Sequence, residues 1–259
     1  MNDGARWADL APRLVSGVVI AFAGIAMVWQ GGWVFAGALS ILCGVMIWEA
    51  ARMFALPSPI GVAVLAGVSV AIVAVLPPVA SLPVILAAAL TGATQAPREK
   101  GTYAAFAVWI IAGCAAFLVL RAGLGFAWMV WLVLVVVVSD VAGYFAGRSF
   151  GGPKFWPRLS PKKTWSGTVA GWLGGGVVGA FLAAPLDAGA MLVPLSIVVA
   201  LAGQLGDIGE SAVKRRQGVK DSSGLIPGHG GLLDRFDAML AAAILVFITW
   251  TFGILPGAT

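Results

Sequence analysis

The chain has 259 residues, 60% of them hydrophobic and only 10% charged, with a formal net charge of +5. A soluble domain carries roughly 25% charged residues, so this composition excludes one. The apolar residues form long runs between short polar breaks, as in a polytopic helical membrane protein, and runs such as "WMVWLVLVVVV" do not alternate, which excludes a barrel.

The expected fold class is therefore all-α, with nine spans near 14–30, 33–53, 58–76, 79–96, 102–120, 124–146, 168–186, 190–209 and 236–254. Arg6 and Arg13 precede the first run as in a signal peptide, but no clear small-residue cleavage site follows, so it is read as a retained first span. Turn chemistry separates the next runs: "QGG" at 30–32, "LPSP" at 56–59, "LPP" at 76–78 and "APREKG" at 96–101. Cys43 and Cys114 lie inside apolar runs without a CxxC partner and read as small buried hydrophobes.

Two polar segments follow, 147–167 ("GRSFGGPKFWPRLSPKKTWSG") and 210–236, separated by a predicted helical hairpin, 168–209, that turns at Asp187 and Gly189. Residues 1–138 read as an N-terminal set of spans and 139–259 as the catalytic region. Threading nine spans from a cytoplasmic N-terminus puts fifteen of the sixteen Lys and Arg residues on the cytoplasmic side and leaves Arg121 alone on the other. A basic face of this kind suits anionic headgroups and phosphates, and no nucleic-acid partner is expected.

Ionisable groups inside spans are costly, roughly 2.5–3.5 kcal/mol each on insertion scales, and mark function by default. Asp140 ends the run "VLVVVVSD". Asp207 and Glu210 lie in "AGQLGDIGES", and Asp234 and Asp237 open the last span; each pair is spaced i,i+3 and so projects from one helix face. Glu49, three residues from Arg52, reads as an interfacial carboxylate paired with that arginine. Carboxylates from two helices suit a hard cation, most readily Mg²⁺. Lys162, Lys163, Lys214, Arg215, Arg216 and Lys220 suit phosphates. The glycines around His229 in "PGHGG" allow close backbone approach, and "SPKKTWSG" sets lysines just before an anion-attracting helix N-terminus. Together these point to phosphoryl or nucleotidyl transfer on a lipid.

The residues Ser211, Lys214, Arg215, Lys220, Asp221, Pro227, His229, Gly230, Gly231, Asp234, Arg235 and Asp237 stand at the spacing of the phosphatidate cytidylyltransferase (CDP-diglyceride synthase) signature, which this stretch closely resembles. "GDIGES", "SPKKTWSG" and "SDVAGYFAGRSFG" resemble further motifs of that family, and the likeness covers roughly 139–240 in detail. It implies transfer of CMP from CTP to phosphatidate with Mg²⁺, a monovalent cation such as K⁺ beside it, and a bacterial inner-membrane enzyme whose site faces the cytoplasm. It further implies Asp207, Asp234 and Asp237 as metal ligands, with Lys163 and His229 also catalytic. Substrate contacts would come from Ser160, Lys162, Thr164, Lys214, Arg215, Lys220, Asp221, Gly230, Gly231, Arg235 and Asp140. A homodimer fits the family precedent and the glycine-rich spans. The sequence departs from the family at Val141, where Ser or Thr is usual, and at Ser166, where Glu is common. A cation-dependent transporter and an inactive homologue with a structural role stand as alternatives; a CDP-alcohol phosphatidyltransferase would need a DGxxAR…GxxxDxxxD string that does not occur.

Overall fold

A computed structural model describes residues 22, 24–157, 159–226, 228 and 230–258. After a helical stretch at 24–30, the elements in order are α1 (Gly32–Met53), α2 (Pro59–Val73), α3 (Pro78–Gln95), α4 (Lys100–Phe150), β1 (Lys154–Trp156), β2 (Ser160–Thr164), α5 (Trp165–Leu182), α6 (Leu192–Arg216) and α7 (Leu233–Thr251). The protein is nearly all-α. Three of these helices, α1, α4 and α6, are long and apolar enough to cross a membrane.

Proline places two of the helix starts. Pro59 and Pro78 stand in the first helical turn, where a missing N–H costs no hydrogen bond, so the "LPSP" and "LPP" breaks are helix beginnings. A straight helix of 51 residues would be roughly 75 Å long, more than twice a bilayer's hydrocarbon thickness. Within α4, Gly125 adopts φ 84°, ψ −172°, a conformation essentially reserved for glycine, and divides the element in two. The break expected at 121–123 is thus displaced to Gly125.

The chain divides into two compact units. One contains the described residues through Ile111 together with Gln217–Phe236; the other contains Ala112–Arg216 and the described residues from Asp237 onward. In the first unit α1 packs on α2, and α2 on α3. Small residues allow the α1–α2 approach: a Cβ on Gly67 would lie 2.8 Å from the Ser40 carbonyl oxygen. Cys43 is fully buried in this unit, and Phe54 meets Tyr103 edge to face at 5.4 Å.

In the second unit α5 and α6 form the expected hairpin, turning where Asp187 (φ 50°) and Gly189 (φ 59°) take left-handed backbone conformations. A Cβ on Gly179 would sit 2.8 Å from the Leu192 carbonyl oxygen, so glycine again sets the helix separation. Trp131 Nε1 donates to Ser196 Oγ at 2.9 Å across the core, and Cys114 is buried.

Both polar segments contain regular elements. Segment 147–167 holds the end of α4, an antiparallel β1–β2 ribbon with Lys154 opposite Thr164 and Trp156 opposite Ser160, and the start of α5. Segment 210–236 begins as helix: α6 runs to Arg216, so Ser211, Lys214 and Arg215 are helical. The basic last turn, Lys214 to Arg216, complements the negative end of the helix dipole and sustains these residues as helix.

Candidate functional site

In the second unit, spacing and packing converge on three carboxylates. Asp207 and Glu210 lie one turn apart on α6, and Asp237 lies on α7; one oxygen from each falls within 4.8 Å of the others. Gly206 permits this convergence, because a Cβ there would stand 2.6 Å from Ala241 Cβ and 2.7 Å from the Asp237 carbonyl oxygen. Glu210 and Asp237 are buried, and Asp207 is partly exposed. Asp237 Oδ1 accepts from the Ala238 N–H at 2.8 Å, and Asp207 Oδ1 accepts from Ser211 Oγ at 3.4 Å.

Two lysines offset this charge. Lys163 Nζ lies 2.5 Å from Asp207 Oδ2, and Lys214 Nζ lies 2.6 Å from Glu210 Oε2, one helical turn along α6. Lys163 is aimed by β2 and by the start of α5, where Thr164 caps the helix by accepting from the Gly167 N–H at 3.2 Å. Its ammonium also donates to the Gln204 carbonyl oxygen at 3.4 Å. Gln204 is itself held, its Nε2 donating to Ser139 Oγ and to the Thr168 carbonyl oxygen, each at 3.3 Å. Asp140 is exposed and interacts electrostatically with Lys163 and Asp207. Three carboxylates against two ammoniums leave one net negative charge among these five groups when all are ionised. An all-oxygen donor set of this size and charge fits a hard divalent cation such as Mg²⁺.

In the first unit a different pair of carboxylates organises the signature loop. Glu49, on α1, is 0% exposed. Its Oε1 accepts from Ser223 Oγ at 2.5 Å and the Leu232 N–H at 2.9 Å; its Oε2 accepts from Ser222 Oγ at 3.3 Å and the Leu233 N–H at 2.8 Å. Asp234 Oδ2 accepts from the Gly231 N–H at 2.7 Å and from both the N–H and Oγ of Ser222 at 3.0 Å. Gly230 has φ 81°, and a Cβ there would lie 2.7 Å from Asp234 Oδ2, so this tight closure requires glycine. The Ile226 N–H donates to the Gly230 carbonyl oxygen at 2.8 Å.

The structure thus gathers Asp207, Asp237, Lys163, Lys214 and Ser211 around one cluster together with Glu210, which the sequence pairs with Asp207, while Thr164 caps α5 next to Lys163. Asp234 belongs to the first unit, where its carboxylate ties the loop. Ser160 lies on β2. Lys162, Arg215, Lys220, Asp221 and Arg235 are exposed, while Gly231 is buried. His229 and Pro227 lie outside the described residues. The Glu49–Arg52 pairing is corrected: Glu49 turns to the loop, and the Arg52 guanidinium lies 4.9 Å above the Trp48 ring. Ser166 Oγ donates to the Gly151 carbonyl oxygen at 2.5 Å and lies 3.0 Å from Thr164 Oγ, closing the ribbon onto α5; Val141 is half exposed. Sequence reasoning passed over Gln204, although an amide one turn before Asp207 in an apolar helix was a usable signal.

A family model described as the cytidylyltransferase family matches residues 11–252. The chain belongs to this family. Among curated cytidylyltransferases, it is similar to the phosphatidate cytidylyltransferase of Brucella suis biovar 1, 48% identical over 129 residues, which are 48% of this chain and 47% of that protein. The Helicobacter pylori (strain ATCC 700392 / 26695) enzyme of the same name is 42% identical over 118 residues, 45% of this chain and 44% of the relative. That of Bacillus subtilis (strain 168) is 41% identical over 123 residues, again 45% and 44%. The chain spans about half the length of the curated relatives it matches. The signature residues from Ser211 to Asp237 are therefore read in a chain whose family membership rests on most of its length.

Proposed function

We propose that this protein transfers the CMP moiety of CTP to phosphatidate, giving CDP-diacylglycerol and pyrophosphate, at the cytoplasmic face of a bacterial inner membrane. The observation that carries this reading is the convergence of Asp207, Glu210 and Asp237 beside Lys163 and Lys214 in a member of the cytidylyltransferase family. A phosphate oxygen of phosphatidate attacks the α-phosphorus of CTP. A new P–O–P linkage forms, the bond to the β-phosphate breaks, and pyrophosphate leaves with the electron pair. The nucleophile is already anionic, so positioning and charge compensation suffice and no strong general base is required.

Asp207, Glu210 and Asp237 would hold Mg²⁺, which supplies charge neutralisation on the triphosphate and its leaving group. Lys163 holds Asp207 in place, and Lys214 holds Glu210. The exposed cations Lys162, Arg215, Lys220 and Arg235 provide phosphate contacts, and Gly230 and Gly231 keep the signature loop close to the Asp234 carboxylate. We place nine spans with a cytoplasmic N-terminus, supported by the fifteen-to-one distribution of Lys and Arg.

Purified protein given CTP labelled in its cytidine and phosphatidate in mixed micelles tests the reaction. Equal amounts of labelled CDP-diacylglycerol and pyrophosphate are expected; lipid that stays unlabelled under added Mg²⁺ would overturn the assignment. Topology is tested separately: a Lys154→Cys variant should resist impermeant thiol reagents in intact cells and react once the membrane is opened.

A further inference from the structure

We propose that Glu49 is a positioning residue that anchors the signature loop, 222–234, to α1, and that the loop's substrate-binding geometry depends on this carboxylate. A buried carboxylate is retained only where donors replace its water, and among the described residues every donor to Glu49 comes from this one loop. Ser222 and Ser223 supply hydroxyls from its first half; Leu232 and Leu233 supply backbone N–H groups from its end. The carboxylate therefore ties together two ends of a segment that lies more than 170 residues away in sequence. Leu233 opens α7, so Glu49 also acts as an external cap, its negative charge set against the positive end of that helix.

The loop is closed a second time by Asp234, which shares Ser222 with Glu49. The single Ser222 hydroxyl proton is shared between both carboxylates, and the backbone from Ser222 to Asp234 carries Gly230 and Gly231. A Cβ on Gly231 would fall on Ser222 Oγ and stand 2.5 Å from Glu49 Oε1, so the carboxylate is packed directly against the glycine-rich turn. Charge matters as well as shape. Gln at position 49 keeps one carbonyl oxygen but turns an NH₂ group toward donors, leaving at least one backbone N–H facing another N–H.

The consequence for substrate rests on the cytidylyltransferase reaction proposed above; the anchoring itself does not. The test compares wild type, Glu49→Gln, Glu49→Asp and Ser223→Ala in steady-state kinetics and in amide hydrogen exchange. In Glu49→Gln, the KM for CTP is expected to rise about tenfold and kcat to fall by a similar factor, the signature of misplaced phosphate contacts. Exchange should accelerate in 222–233 and stay unchanged in α5 and α6. Glu49→Asp should recover part of the loss, and Ser223→Ala, which removes one of four donors, should raise KM about threefold.

A loss of Vmax at constant KM, with faster exchange throughout the chain, would mean fewer folded molecules and would overturn the positioning role. Unchanged KM and unchanged loop exchange in Glu49→Gln would do the same. If wild type makes no CDP-diacylglycerol, the reaction falls, and the exchange arm still decides: acceleration confined to 222–233 upholds the anchor, and its absence removes it.

Discussion

Glu49 in the first unit and Glu210 in the second are almost equally buried, at 0% and 1% exposure, yet their charges are met in opposite ways. Glu49 accepts four hydrogen bonds from neutral hydroxyl and amide donors of one loop. Glu210 faces the Lys214 ammonium and two further carboxylates. Directional neutral donors fix a backbone: they set where the loop goes and satisfy the carboxylate as they do so. A lysine and converging anions fix charge instead, and they concentrate oxygen ligands where a cation can replace or supplement the ammonium. Buried carboxylates in one protein are thus compensated in two ways, by directional neutral donors or by an ammonium beside converging acids, and the chemistry of the donors distinguishes them.

The largest effect should come from removing charge in the second unit. Asp207→Asn and Asp237→Asn keep side-chain shape and one oxygen but lose the negative charge, and each is expected to cut CDP-diacylglycerol synthesis by at least about a hundredfold. Both proteins should still insert and purify, since a neutral amide is less costly to hold in the membrane. Asp234→Asn sharpens the contrast. Its carboxylate accepts from Gly231 and Ser222, so its loss should be accompanied by faster exchange in the loop, whereas Asp207→Asn should leave loop exchange as it is. Identical exchange patterns in the two variants would erase the distinction between anchor and ligand.

A matched pair of glycine substitutions probes the same contrast sterically. Gly206→Ala drives a methyl group toward Ala241 Cβ and the Asp237 carbonyl oxygen; Gly231→Ala drives one into Ser222 Oγ and Glu49 Oε1. Overpacking of this kind costs about 1–3 kcal/mol, so both should lower thermal stability. Activity should fall about tenfold in each, but added Mg²⁺ should restore part of it only in Gly206→Ala, where the ligand cluster is loosened.

The helices and the acidic pairs were legible because both signals are local. Apolar runs of span length report themselves, and a carboxylate inside such a run is costly enough to stand out, which is why Asp207, Glu210 and Asp237 were visible as chemistry. Partners distant in sequence were not. Glu49 was read against Arg52, its neighbour one turn away, because nothing local indicates Ser222 and Leu232. Asp234 was read with Asp237 among the carboxylates suited to a cation, and its hydrogen bonds to Gly231 and Ser222 were not foreseen, because they depend on how the loop closes at Gly230, a backbone property that residue types do not reveal. The β1–β2 ribbon was missed because "KFW" and "SPKKT" are too short and too polar for alternation to show.

Lys163 should produce a smaller effect than the carboxylates it serves. Its ammonium holds Asp207 and the Gln204 carbonyl oxygen, and it is partly exposed, so the cation it supplies is partly screened. Lys163→Ala is expected to raise the KM for CTP about tenfold and to increase the Mg²⁺ concentration needed for half-maximal rate. Lys162→Ala, whose side chain is exposed, should change either quantity by no more than about threefold. Equal effects from the two lysines would mean that the Asp207 pairing contributes nothing particular.

The smallest effect is expected at Asp187, a carboxylate that belongs to neither class. It is exposed at the α5–α6 turn with φ 50°, and the structure gives its backbone, not its charge, a role: the carbonyl oxygen of Asp187 would lie 2.7 Å from a Cβ on Gly257, so chain from another part of the unit packs onto the turn. Asn tolerates the left-handed region as well as Asp does, so Asp187→Asn should retain activity within about twofold and stability within about 0.5 kcal/mol. Asp187→Val asks the same turn to hold a β-branched residue at positive φ, which costs on the order of 1–2 kcal/mol. It should therefore lower the unfolding temperature while leaving kcat and the Mg²⁺ requirement unchanged. A fall in kcat for Asp187→Asn at full stability would show that a carboxylate outside both groups takes part in the reaction, and the division between anchoring and ligating acids would then be incomplete.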